Sequence, residues 1–152
     1  NFLAGEFGHM AIVPNGLPCR CGKKGCWEVY ASNNAALKLY QDYSGIELSS
    51  YDELLKALFK EDPIAIKVFA EIVNYLGLGI ANLINGLNPE MIVIGGKITE
   101  ADSLIHYQLL KVIKEKCFEY SYRGVSLQFS GLRNRATALG VGSLMIDSLL
   151  YN

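Results

Sequence analysis

Apolar positions along this chain fall into long helical stripes and short unbroken runs, with Gly, Pro, Asn and Ser marking the joints. The longest stripe lies between Pro63 and Leu87, where Ile64, Val68, Phe69, Ile72, Val73, Leu76, Ile80, Leu83 and Ile84 cover a wide face. That spacing predicts one long, largely buried helix. Asp62-Pro63 supplies its start, an N-cap carboxylate followed by proline at the first helical position, and Asn88-Pro89 supplies its stop. Gly77 and Gly79 inside it each cost about 1 kcal/mol against alanine in an exposed helix; close packing would explain them. Ser50-Tyr51-Asp52-Glu53 matches a capping box and predicts a short helix to Lys60. Trp27 to about Tyr40 reads as a helix, closed at Tyr43-Ser44-Gly45. Asp102 to Tyr120 reads as another, with Leu104, Leu109, Leu110, Ile113 and Cys117 on one side. Arg135 to Leu150 reads as the last.

Three short runs read as strands. Met10-Ala11-Ile12-Val13 ends at the turn signal Pro14-Asn15-Gly16. Met91-Ile92-Val93-Ile94 lacks alternation and predicts a buried strand, ended by Gly95-Gly96. Val125 to Phe129 alternates. Strands separated by helices indicate an α/β fold with a mostly parallel core.

Composition narrows the picture. The chain has 152 residues, 51% of them hydrophobic, with a formal net charge of −1. This suits a single domain able to bury a core and excludes a disordered chain. Near-neutrality gives no field for a polyanion, so nucleic acid binding is not expected of this chain by itself. Glu71, Asn74, Asn82 and Asn85 interrupt the longest apolar stretches, no segment reads as a membrane span, and no secretion signal is visible. The start Asn-Phe-Leu-Ala-Gly, with Ala4-Gly5-Glu6 already inside a turn, leads us to expect a fragment of a longer protein.

Three of the four cysteines lie within eight residues. His9, Cys19, Cys21 and Cys26 form H-x9-C-x-C-x4-C, and three thiolates with one imidazole are a complete tetrahedral set for Zn2+. A regular strand points successive side chains to opposite faces, so the Cys-x-Cys pair needs an irregular loop. Pro18, Gly22 and Gly25 provide one, and Lys23 and Lys24 would offset part of the thiolate charge. Four protein ligands close the site, which makes its expected role structural. Two other readings remain: disulfide pairing, which oxidising compartments favour, and ordinary buried cysteines, which have no reason to cluster with glycine and lysine. Cys117 reads as core and His106 as a surface or helix residue.

Glu6 lies three residues before His9, and Glu28 two after Cys26. Anchored by a common metal, these carboxylates could converge, and carboxylates beside an imidazole are good acceptors for desolvated sugar hydroxyls. An exposed glutamate with no special role is the competing reading.

At these residues the chain resembles a known family. Ala4-Gly5-Glu6-Phe7-Gly8-His9-Met10, Cys19-Arg20-Cys21-Gly22-Lys23-Lys24-Gly25-Cys26-Trp27-Glu28 and Tyr30-Ala31-Ser32 are similar to the signature of the ROK family (repressors, open reading frames, kinases). Asn88 to Gly96 is similar to the family's strand and glycine turn near the nucleotide adenosine, and Ala136-Thr137-Ala138-Leu139-Gly140 to its C-terminal helix. The resemblance covers nearly all of residues 1–152 as one domain, the C-terminal portion of a family member. It implies the C-terminal lobe of an actin-like, ribonuclease-H-like ATPase fold with a zinc-binding loop. His9, Cys19, Cys21 and Cys26 would hold the zinc; Glu6, His9 and Glu28 would contact the sugar, a pentose or hexose; Gly95 and Gly96 would approach the adenosine of ATP if the parent is a kinase. A cytoplasmic location and a homodimer are also implied. Phe2 departs from the family, which usually has glycine there.

Two functions follow from the resemblance. One is the sugar-sensing, dimerising half of a repressor of the xylose-repressor type, which would reach DNA only through a separate N-terminal domain. The other is the C-terminal half of an ATP-dependent, glucokinase-like sugar kinase. The segment from Cys26 to Ser32 and the tail around Arg135 to Gly140 lean toward the repressor. No catalytic residue of a kinase is assigned within this chain.

Overall fold

The computed structural model describes residues 5–132 and 135–151. Ala4 of the signature segment and the Phe2 departure lie outside the described residues. The elements run α1 (Glu28–Ala31), α2 (Asn33–Ser44), α3 (Tyr51–Phe59), α4 (Pro63–Leu87), β1 (Met91–Ile94), α5 (Asp102–Lys116), α6 (Glu119–Arg123), β2 (Ser126–Phe129) and α7 (Ala136–Tyr151).

Helix α4 organises the molecule. The Asp62 carboxylate accepts the Ala65 N–H at 2.7 Å, Pro63 takes the first turn, and Asn88 ends the helix in the left-handed region at φ 45°. By length and composition alone α4 could cross a membrane. Here Val68, Phe69, Ile72, Val73, Ile80 and Ile84 are instead buried between α1–α3 on one side and α5 on the other. Leu54, Leu55 and Leu58 of α3 and Ile105, Leu109 and Ile113 of α5 complete that core.

The two glycines of α4 are explained by close approach. A Cβ at Gly77 would stand 2.6 Å from a Val112 methyl, and one at Gly79 would stand 1.9 Å from the Trp27 ring. Residues two apart on a helix face nearly opposite ways. Helix α4 is therefore held tightly from both flanks.

β1 and β2 pair in parallel, from Met91 opposite Ser126 to Ile94 opposite Phe129, and α5 and α6 connect them. This bears out the α/β reading. The predicted burial of β1 does not hold in full: Ile94 is buried, but Met91 and Val93 are exposed. Among the described residues the sheet has only two strands, and helices cover one face of it.

Other expectations are corrected. Met10–Val13 is not a strand; Ala11 makes a single antiparallel bridge to Cys26. Its neighbours Ile12 and Val13 both donate to the Gly25 carbonyl, because the partner segment turns too tightly to extend a ladder. The helix predicted over residues 27–40 breaks at Ser32, which sits at φ −103°, ψ 168°. Its hydroxyl accepts the Ala35 N–H and starts α2 afresh, the competition expected of serine near a helix start. The helix predicted to reach Tyr120 ends at Lys116. Asn85 holds that end from α4, donating to the Lys116 carbonyl and accepting the Phe118 N–H at 2.8 Å. The buried stripe of α5 runs through Ile105, Leu109, Val112 and Ile113, and Leu104 faces out. Glu53 reaches back to the Ser49 N–H at 2.9 Å rather than to Ser50. Just past β1, the Lys97 ammonium pairs with Asp52 at 2.5 Å.

Candidate metal centre and the carboxylates beside it

The cysteine segment is a tight hairpin with little apolar filling. Cys19 N–H donates to the Lys23 carbonyl at 2.8 Å and Gly25 N–H to Leu17 at 2.8 Å. Gly25 has a φ of +79°, and a Cβ on it would stand 1.8 Å from the Val13 carbonyl oxygen. Only glycine allows the segment entering Cys26 to lie so close to residues 10–13. Tyr30 ties down the hairpin's outer end, its hydroxyl accepting the Leu17 N–H at 2.6 Å.

This irregular backbone turns four donors inward. His9 ends a short 3-10 turn, Phe7–His9, beside the hairpin. One ligand atom each from His9, Cys19, Cys21 and Cys26 lies within 4.8 Å of all the others. The Cys21 and Cys26 sulfurs are 3.6 Å apart, and His9 Nδ1 is 3.6 Å from Cys19 Sγ. A tetrahedral zinc with ordinary Zn–S and Zn–N lengths spaces its ligand atoms by about 3.5–3.8 Å. The donor set therefore fits a metal ion in number, kind and spacing. None of the four cysteines in the chain is disulfide-bonded.

Protons and charges in the cluster are unevenly held. The Lys23 backbone N–H, then Cys19, lower the pKa of Cys21, which is exposed. Burial raises that of Cys26. The Cys21 backbone N–H pulls the Cys19 thiol down, but the Glu28 carboxylate, burial and the neighbouring sulfurs together push it up to about 12. A metal ion would displace these thiol protons, so uptake releases protons.

The three residues expected to meet a sugar do gather around one ring. Glu6 Oε2 lies 3.9 Å from His9 Nε2, and Glu28 Oε1 lies 3.4 Å from His9 Nδ1. The ring thus divides its nitrogens: Nδ1 faces Cys19 Sγ and Glu28, and Nε2 faces Glu6. Glu28 also accepts from Cys19 Sγ at 3.0 Å and meets Arg20 at 3.4 Å. The Cys19 hydrogen bond holds its carboxyl below the usual value against the opposing effect of burial, with Arg20 and His9 adding to the lowering. Arg20 escaped the sequence reading because a lysine-rich hairpin makes another cation unremarkable. Beside Glu28 opens a cavity of about 510 Å³, bounded by Leu17, Pro18, Arg20, Val29 and Lys38 among others.

Gly95 and Gly96 stand apart from this group. They line a second cavity of about 320 Å³ together with Ser32, Asn33, Tyr51 and Lys97. A Cβ on either glycine would meet nothing within 4 Å, and Gly96 has a φ of +85°. The α1–α2 junction joins the two places: Glu28 begins it, and Ser32 and Asn33 end it at the second cavity. His106 is bonded to Asp102 at 2.8 Å, and Cys117 packs against the core, as expected of both.

The chain is similar to known proteins over nearly its whole length. A model of the ROK family matches residues 1–148. A putative xylose repressor from Caldicellulosiruptor sp. (strain Rt8B.4) is 32% identical, covering 97% of this chain and 40% of that protein. A glucokinase from Halalkalibacterium halodurans is 35% identical, covering 95% of this chain and 48% of that one. The crystal structure of a ROK family glucokinase from Streptomyces griseus, in complex with glucose and AMPPNP, superposes with a TM-score of 0.82. It is 25% identical over 93% of this chain and 51% of its own. The chain thus spans about 40–50% of the length of these relatives, and its fold is that of the actin-like ATPases of the ROK type.

Proposed function

The chain belongs to the ROK family, and we propose that it is the sugar-sensing half of a ROK transcriptional repressor, built on a structural Zn2+ site. The observation that carries the metal and sugar site is the divided His9 ring, with Nδ1 toward Cys19 Sγ and Glu28 and Nε2 toward Glu6. A metal on Nδ1 fixes the tautomer, leaving Nε2–H as a donor of set direction. His9, Cys19, Cys21 and Cys26 would hold the zinc, whose chemistry is to lock the hairpin; it touches no reacting atom. Deprotonating Cys19 removes its hydrogen bond to Glu28 and frees that carboxylate oxygen for another donor. Glu6 and Glu28 would then accept sugar hydroxyls while His9 donates.

The ligand is a pentose or hexose. It would act by binding two arrangements of a homodimer unequally, which biases the affinity of a separate DNA-binding domain. The protein would work in the cytoplasm. The similarity to a xylose repressor supports this reading.

A second reading, half of an ATP-dependent sugar kinase, is favoured by one observation, the open glycine-lined cavity at Gly95 and Gly96. In that reading Gly95 and Gly96 would approach the adenosine of ATP. In that case the sugar contacts of Glu6, His9 and Glu28 are unchanged, and the base that activates the sugar lies outside this chain.

Calorimetric titration of the zinc-loaded chain with D-xylose and D-glucose tests the site. Binding of at least one sugar is expected, with at least a tenfold loss in Glu28→Gln and Glu6→Ala; equal binding by both variants would remove these residues from the site. Titration with AMPPNP separates the readings: saturable binding lost in Gly96→Val favours the kinase.

A further inference from the structure

The chain has a single tryptophan, and it stands between a metal-cluster cysteine and a candidate sugar carboxylate. Trp27 is tied down on two sides. Its backbone N–H donates to the Met10 carbonyl at 2.8 Å, fixing it to the segment that follows His9. Its indole Nε1 donates to the Tyr75 carbonyl of α4 at 2.8 Å. That carbonyl is in the middle of a helix, and an indole reaches such a group only where the helix surface is bare. Gly79, one turn further on, provides the bare patch. A Cβ there would stand 1.9 Å from Cε2, 2.3 Å from Cζ2 and 2.4 Å from Cδ2 of the indole. Tyr30 of α1 and Tyr75 of α4 also pack together, with ring centroids 4.7 Å apart.

Cys26 and Glu28 are the residues on either side of Trp27, so the depth of the indole sets where both stand. His9, Cys19 and Cys21 come from the 3-10 turn and the hairpin, whose side-chain hydrogen bonds to the helical body go to Glu28 and Tyr30 of α1, the helix that Trp27 leads into. We propose that Trp27, seated on Gly79, is a positioning residue: the seat on α4 brings Cys26 to the metal cluster and Glu28 to the sugar. This rests on the metal and sugar reading above. The claim goes further in making the affinity of both sites depend on a helix surface that touches neither ligand.

The test places alanine at three glycines of the same helix in the full chain. Gly79→Ala pushes on the indole. Gly77→Ala pushes on Val112 from the opposite flank, and Gly86→Ala meets nothing. Cobalt(II) serves as metal probe through its thiolate charge-transfer and d–d bands, with chelator competition for affinity, and D-xylose and D-glucose as sugar probes. Emission of the one tryptophan reports the seat directly. In Gly79→Ala we expect red-shifted emission, altered d–d bands and at least a tenfold loss of cobalt and sugar affinity. Gly77→Ala should lower the melting temperature while leaving the cobalt spectrum and tryptophan emission as in the parent. Gly86→Ala should change neither. Trp27→Phe makes room at the seat, so adding Gly79→Ala to that variant should cost less than threefold in cobalt affinity, a coupling a double-mutant cycle isolates.

The proposal is overturned if Gly79→Ala keeps cobalt affinity within twofold while its emission shifts, or if Gly77→Ala alters the bands as much. It is also overturned if the losses in the Trp27→Phe background are undiminished. Failure of the underlying reading looks different: the parent chain itself then shows no tetrahedral cobalt–thiolate spectrum.

Discussion

The body built around α4 and the hairpin of residues 10–26 are held by opposite means. The body is an apolar core: Leu54, Ile72, Ile84, Leu109 and Ile113 are all under 2% exposed. Its order comes from removing hydrocarbon from water, which needs many residues and no single one. In the hairpin only Cys19, Gly25 and Cys26 are buried among the described residues, and Leu17 is 53% exposed. Its backbone is held by a few turn hydrogen bonds, the Tyr30 hydroxyl at Leu17 and close contacts of Gly16 and Gly25 with Val13. Four inward donors then take the place of a core. A region this thin in apolar contacts opens easily unless something ties it, and the donor cluster is what a metal ion would tie. The difference shows why a binding site and its scaffold can be damaged separately.

Three variants break or sharpen that contrast. The largest effect belongs to the body. Leu109→Ala leaves a cavity between α4 and α5 and should cost about 2–5 kcal/mol, read as a drop in the denaturation midpoint of the whole chain. Zinc stoichiometry at low temperature should survive it. Next comes Cys21→Ser, which removes the one exposed sulfur of the cluster. Zinc content should fall from one equivalent to below half. The melting temperature should drop by less than in Leu109→Ala, with far-UV circular dichroism nearly unchanged, because the helices do not depend on the hairpin. Equal zinc content in the variant would dismantle the four-donor assignment.

The smallest effect is a surface one within the body. The Ser49 backbone N–H, then its hydroxyl, hold Glu53 below the usual carboxylate value. A carboxylate with a depressed folded value stabilises the fold above the unfolded value, and the contribution disappears as pH falls through the folded value. Glu53→Gln should therefore melt slightly below the parent at neutral pH. The gap should close from about pH 4.3 downward. A gap that widens on acidification would contradict the assignment.

How far the sequence could be read follows the same division. The long helix, its cap at Asp62 and its stop at Asn88 were plain, because burial and capping leave periodic and local marks. The donor set was plain too, since Cys and His in metal spacing have few other uses. What could not be read depended on which surfaces meet. The apolar run at Met10–Val13 looks like a strand until the Gly25 turn denies it a partner. Ser32 looks like any helix residue until its hydroxyl competes for the Ala35 amide. Leu104 and Ile105 are equal by composition, and the angle of α5 against α4 decides between them. The glycines of α4 and Trp27 were all visible, but that Trp27 rests on one of those glycines is a fact of contact that spacing does not carry. Helix α7 shows the same limit from the other side: it forms where expected, yet Leu144, Met145 and Leu149 are exposed.

The division of labour on the His9 ring has one more consequence. An imidazole is rigid and planar, so its two nitrogens cannot be placed independently. With Nδ1 3.6 Å from Cys19 Sγ and Nε2 3.9 Å from Glu6 Oε2, any shift at the thiol cluster carries through the ring to the carboxylate. The hairpin and the carboxylate beside it therefore share one short lever, a single ring wide.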